Sequence, residues 1–131
     1  MNMDKVIGSL LVLVGIIHLL PVTGVMGVER LAALYGISLG DPNLEILMRH
    51  RAMLFGLLGV LLIYAAFQPT LQWLAIAAGM ISVVSFIVLA LAVGDYNLSL
   101  RKVVIADIVA IVALLAAGLL KLLYLNKGTG L

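Results

Sequence analysis

Asn43 to Phe67 reads NLEILMRHRAMLFGLLGVLLIYAAF, and its two halves together decide the class of fold. From Ala52 onward it runs sixteen residues without a charge. With the preceding turns it reaches the roughly 20 mostly apolar residues that a helix needs to cross about 30 Å of hydrocarbon. The opening half carries Glu45, Arg49, His50 and Arg51 at the mouth of that helix. Charges there need partners, because an unpaired charge in hydrocarbon costs at least ~2.5 kcal/mol.

The same pattern recurs along the chain. Of 131 residues, 65% are hydrophobic and 11% charged, with a mean hydropathy of +1.30, whereas a soluble domain carries about 25% charge. Four stretches meet or nearly meet the spanning length, at about 4–20, 43–67, 70–93 and 99–125. The expected fold is therefore all-α, an integral membrane four-helix bundle formed by 1–131 as a single transmembrane domain. The net charge of +2 is too mild on so apolar a chain to point to nucleic acid. Absence of cysteine excludes disulfides and thiolate chemistry. Met1 to Leu20 has the outline of a signal peptide, but Val22 and Gly24 make a poor cleavage site, and the segment is read as a retained helix.

Punctuation between the spans is clear. Pro21, Gly24 and Gly27 end the first. Glu29 to Tyr35, ERLAALY, is too short and too charged to cross, and predicts a short amphipathic helix lying at the interface. Asp41-Pro42 supplies an N-cap and a first-turn proline for the second span. Gln68-Pro69-Thr70 turns into the third span, and Gly94 to Asn97 into the fourth, with Ser99 as its expected cap and Asn126 to Leu131 as a polar tail. The loop end carries Arg30, Arg49, Arg51, Arg101 and Lys102 against Lys5, Lys121 and Lys127 at the terminal end. A positive-inside count thus favours cytoplasmic loops. If Arg49 and Arg51 are drawn into a site the two sides balance, and the sequence assigns no orientation.

Small residues form a stripe on each span at about 100° per residue: Gly8, Gly15 and His18; Glu45, Arg49, Ala52, Gly56, Gly59 and Ile63; Ala75, Gly79, Ser82 and Ser85; Asp107, Ala110, Leu114 and Gly118. Such stripes let membrane helices approach closely, and they are candidates for homo-oligomer contacts or for seating a slender ligand. Because Arg49 shares its stripe, it is expected to point into the bundle. Glu45 would be its i, i+4 partner, and Asp107 its partner across the bundle, with His18 completing the group. Arg51, almost opposite on the wheel, is expected to reach lipid phosphate, as are Arg101 and Lys102.

The ligand-binding candidates are accordingly Arg49, His50, His18, Asp107 and Glu45. Guanidinium suits bidentate binding of phosphate or carboxylate, so the group would hold the polar end of a membrane lipid, a quinone or another amphiphile. The protein would do so alone or as an accessory subunit. Two rivals remain: a charge lock that only fixes assembly and topology, and a membrane isomerase or oxidoreductase using His18, His50 or Asp107 as proton carriers. No catalytic set is legible, since nucleotide-binding, nucleophile-elbow and metal-ligand spacings are all missing. The two histidines raise axial haem ligation, but no attachment motif accompanies them, and no cofactor or metal is expected. Tyr35, Tyr64, Trp73, Tyr96 and Tyr124 fall mostly near span ends, as an aromatic belt would.

The order of an apolar helix, a loop with a short amphipathic helix, and then MRHRAMLFGLLGVLLIYAA resembles the small DoxX-like four-helix bacterial membrane proteins. The shared features are an arginine before small positions, here Arg51-Ala52 and Gly56 to Gly59, and a polar position in the fourth helix, here Asp107. HLLPVTGVMGVERLAALYGI with PNLEILMRHRAMLFGLLG resembles more closely a bacterial group often labelled phosphopantetheine adenylyltransferase. That activity needs alternating strands and helices with an HxGH-type phosphate motif, neither of which this chain has, so adenylyl transfer is not expected. The resemblance implies residence in a bacterial inner membrane and, for some DoxX-like members, a link to quinone oxidation that attaches to no particular residue.

Overall fold

A computed structural model describes residues 2–38 and 40–129, with side chains described as far as Leu125. Every regular element among the described residues is helical. The order is α1 (Met3–Leu19), a 3-10 segment (Leu20–Met26), α2 (Val28–Tyr35), α3 (Pro42–Ala66), a 3-10 turn (Pro69–Leu71), α4 (Gln72–Val93) and α5 (Leu98–Thr129). Among the described residues, four stretches are long and apolar enough to cross a membrane: Met3–Met26, Pro42–Ala66, Pro69–Val93 and Leu98–Leu125. Their outer faces expose Leu57, Val60, Leu89, Val112 and Leu119, a surface that suits hydrocarbon and not water. The chain is a small integral membrane protein built as a four-helix bundle.

Two boundaries differ from expectation. Pro21 does not stop the first span outright; the α-helix ends at Leu19 and the chain continues as a 3-10 helix with the proline in its first turn, where the missing N–H costs nothing. At the other end, α5 runs on to Thr129 instead of giving way to a polar tail at Asn126. The expected start of α3 is present: the Asp41 carboxylate accepts from Asn43 N–H at 2.9 Å, with Pro42 in the first turn.

Each span packs on its neighbour in sequence, α1 on α3, α3 on α4 and α4 on α5, and the first span also packs on the last, α1 on α5. The glycines set the α1–α3 seam. A Cβ on Gly15 would meet the Gly59 carbonyl at 3.0 Å, and one on Gly8 the Ala66 carbonyl at 3.0 Å, so the two backbones are in direct contact, as small-residue membrane interfaces allow. Leu11, Val14, Leu62, Ala75, Val83 and Leu114 fill the centre of the bundle.

The terminal end is closed by one buried ammonium. Lys121 donates to Gln72 Oε1 at 2.9 Å and to the Pro69 carbonyl at 3.2 Å, tying α5 to the α3–α4 turn. Because the ammonium can only donate, it dictates which way the Gln72 amide faces. Gln72 Nε2 is left buried without a partner among the described residues.

At the loop end, α2 is the expected short amphipathic helix between the first two spans. Leu31 and Tyr35 are buried against Met48, Leu100 and Val103, which seats α2 on α3 and α5. Asn97 holds this corner: its Nδ2 donates to the carbonyls of Tyr35 (2.8 Å) and Gly36 (3.1 Å), and its Oδ1 accepts from Leu100 N–H (2.8 Å). It is therefore Asn97, and not Ser99, that caps α5. Gly36 ends α2 in the left-handed conformation, φ 63°, with no room for a side chain beside Ser99 and Asn97.

Candidate functional site

A cleft of about 280 Å³ opens at the loop end, between the end of α1, the start of α3, α2 and the start of α5. Its walls are mostly apolar, from Ile17, Leu20, Leu34, Phe55, Val103 and Ala106. Its polar lining comes from His18, Tyr35, Arg51, Ser99, Lys102 and Asp107.

Arg51 is the central group, contrary to the expectation that it reaches out to lipid. Its guanidinium carbon lies 4.4 Å from the centroid of the Phe55 ring, 5.2 Å from Tyr35 and 5.5 Å from Phe86, and it donates to the Tyr35 hydroxyl. Three rings contributed by α2, α3 and α4 therefore surround one cation, each attracting it through its π face. The helical wheel explains the reversal. The buried residues of α3 are Ala52, Gly59, Leu62 and Ala65. At about 100° per residue, Arg51 falls within the arc they cover, and Arg49 falls about 60° outside it. The glycine stripe marks only one edge of that arc, the contact with α1.

Arg49 is correspondingly exposed and points out of the bundle. Its Nε donates to the Val25 carbonyl at 2.9 Å, satisfying a carbonyl near the end of the 3-10 segment. Its Nη1 meets Glu45 at 3.3 Å, so the expected i, i+4 pair forms, on the outside. The expected pairing of Arg49 with Asp107 does not occur. His50 is also exposed and outside the cleft. Of the five residues expected to bind ligand, only His18 and Asp107 line it. Of the three expected to anchor to lipid, Arg51 and Lys102 line it, while Arg101 is exposed outside.

His18 is 2% exposed and fully engaged. Its Nδ1 lies 2.9 Å from the Val14 carbonyl, which can only accept, so Nδ1 carries a proton. Its Nε2 lies 3.2 Å from Ser82 Oγ. In the neutral tautomer Ser82 donates to that nitrogen, leaving neither ring nitrogen free for a ligand. Asp107 is the opposite case. It is 9% exposed and lines the cleft, yet no group among the described residues hydrogen-bonds its carboxylate. The Arg49–Glu45 contact is the one ion pair within 4.0 Å among those residues. No three potential metal ligands gather among them either.

Phe55 and Phe86 do not figure in the sequence reading of the site, and Tyr35 figures there only as part of an aromatic belt. One signal was available: Phe55 follows Arg51 by four residues, the spacing at which helical side chains meet. Phe86 has no such signal, since only the packing of α4 on α3 brings it to Arg51. Comparison of the chain with protein-family models, curated proteins and solved structures finds no match.

Proposed function

We propose that the protein binds an amphiphile, a lipid, a quinone or a similar molecule, with its polar end in the cleft beside Arg51 and its apolar part towards the bilayer. The observation that carries this reading is the pair of opposite charges, Arg51 and Asp107, that face one apolar-walled cleft without forming an ion pair. A charge lock would have brought them together, because burying charges unpaired is costly. The volume is near the lower end of small-molecule sites, roughly 300–1,000 Å³, so it suits a head group or ring and not a whole lipid. On this reading the protein is a DoxX-like component of a bacterial inner membrane, acting alone or as an accessory subunit.

The lock reading finds its support elsewhere, in Arg49. Its hydrogen bond to the Val25 carbonyl joins α3 to the 3-10 segment on the outer surface, and Glu45, one turn earlier on α3, braces it there. The two arginines thus divide the work, Arg49 serving the fold and Arg51 the ligand. Proton-carrier chemistry draws no support from His18, whose nitrogens are both engaged.

Native mass spectrometry of the purified protein tests the proposal. The wild type is expected to retain a bound amphiphile that Arg51→Ala loses while Arg49→Ala keeps it. Retention of the same adduct by Arg51→Ala, or a wild type that takes up no amphiphile when one is supplied, would overturn the proposal.

A further inference from the structure

The charge pattern of the cleft specifies the head group more closely. We infer that it selects a zwitterionic head group of the phosphoethanolamine class, its phosphate on Arg51 and Lys102 and its ammonium on Asp107; this rests on the amphiphile reading above.

Asp107 is nine-tenths buried, lines the cleft, and has no hydrogen-bond or ion-pair partner among the described residues. Its carboxylate oxygens are not among the buried unpartnered atoms and are open to the cleft, where a charged N–H donor is their strongest partner. Arg51 is held by three rings and spends one of its five N–H groups on Tyr35, so it is rigid and still has donors to give. Lys102 adds a second cation on the same cleft and is itself exposed. No nitrogen of Arg51 comes within 4.0 Å of an Asp107 oxygen, and the two opposite charges line the same cleft space without pairing directly.

A simple anion in that space would satisfy Arg51 and bring a second negative charge towards Asp107. A simple cation would do the reverse. A phosphate diester linked by two carbons to a primary ammonium presents acceptors to one side and charged N–H donors to the other. Phosphoglycerol offers Asp107 only a neutral hydroxyl, a weaker donor than an ammonium. Phosphocholine keeps the positive charge but has no N–H at all.

The test is titration of the detergent-purified protein, by calorimetry or native mass spectrometry. The probes are dihexanoyl phosphatidylethanolamine, the phosphatidylglycerol and phosphatidylcholine of the same chain length, and water-soluble glycerophosphoethanolamine. The ethanolamine lipid is expected to bind about tenfold or more tightly than the glycerol lipid, the difference between a charge-assisted and a neutral hydrogen bond. Asp107→Asn should bring that ratio close to one while glycerol-lipid binding persists. Equal binding of the ethanolamine and glycerol lipids by wild type would overturn the head-group assignment and leave the amphiphile reading standing. Binding of no lipid would overturn the head-group assignment and restrict the amphiphile reading to quinones and other non-lipid ligands. Should Asp107→Asn fail to fold, wild type alone decides: preference for the ethanolamine over the choline lipid supports the N–H contact, and equal binding refutes it. Glycerophosphoethanolamine binding as tightly as the lipid also supports the assignment and identifies a soluble source; much weaker binding supports it with a lipid source.

Discussion

Replacing Gly59 with alanine is expected to destabilise the bundle by up to about 2 kcal/mol. A Cβ at that position would lie 2.9 Å from the Gly15 carbonyl oxygen and 2.8 Å from Leu19 Cγ. The leucine can rotate, but the carbonyl belongs to the α1 backbone and moves only with its helix. Ordinary Cβ contacts begin at 3.4 Å, so α1 and α3 must part by about half an ångström, enough to forfeit a quarter or more of each dispersion contact along the seam. Overpacking of this kind costs about 1–3 kcal/mol, and the better helix propensity of alanine returns up to about 1 kcal/mol. Gly118→Ala is the matched control, since its Cβ would find Trp73 at 3.8 Å and Ile76 at 4.0 Å, and it should be neutral or slightly stabilising. Reversible unfolding in mixed micelles, followed by circular dichroism, measures both. If Gly59→Ala unfolds at the same midpoint as Gly118→Ala, the backbone contact does not limit the approach of α1 and α3.

Two other substitutions probe the ends of the bundle. Tyr35→Phe keeps the ring over Arg51 and removes its hydroxyl acceptor; a loss of about 1 kcal/mol is expected in the same unfolding assay, and an unchanged midpoint would deny the hydrogen bond any weight. Lys121→Met leaves Gln72 Oε1 and the Pro69 carbonyl without their donor and should cost about 1–3 kcal/mol. Adding Gln72→Leu should recover part of that loss, and a double-mutant cycle that is strictly additive would contradict the coupling.

The site was legible in part. Asp107 and His18 stood out because a polar side chain within an apolar run is costly wherever it lies. Their roles were not legible, because the Ser82 hydroxyl that engages His18 lies on another helix. The reversal of Arg49 and Arg51 has a similar origin. A wheel states correctly that two residues face nearly opposite ways, but its inward direction has to be chosen. A glycine stripe reports the closest neighbour, whereas the buried arc of α3 extends further, towards α4. The aromatic cage spans three helices, so no single segment contains its pattern. Asn97 replaced Ser99 as the cap of α5 because one side chain there also serves the end of α2.

What the sequence determined by itself was the set of local quantities: four apolar lengths, the Asp41-Pro42 start of α3, the turns at Pro69 and Gly94, and the i, i+4 pair of Glu45 and Arg49. Each follows from the solvent or from residues within a turn or two, so the order of residues suffices. Only the tertiary structure decided which arginine entered the cleft, which rings surround it, that Lys121 is buried beside Gln72, and that Asp107 has no partner among the described residues. Those outcomes depend on how far each helix is rotated about its own axis. That rotation is settled by packing against several neighbours at once, above all at the glycine seam between α1 and α3, where backbone meets backbone.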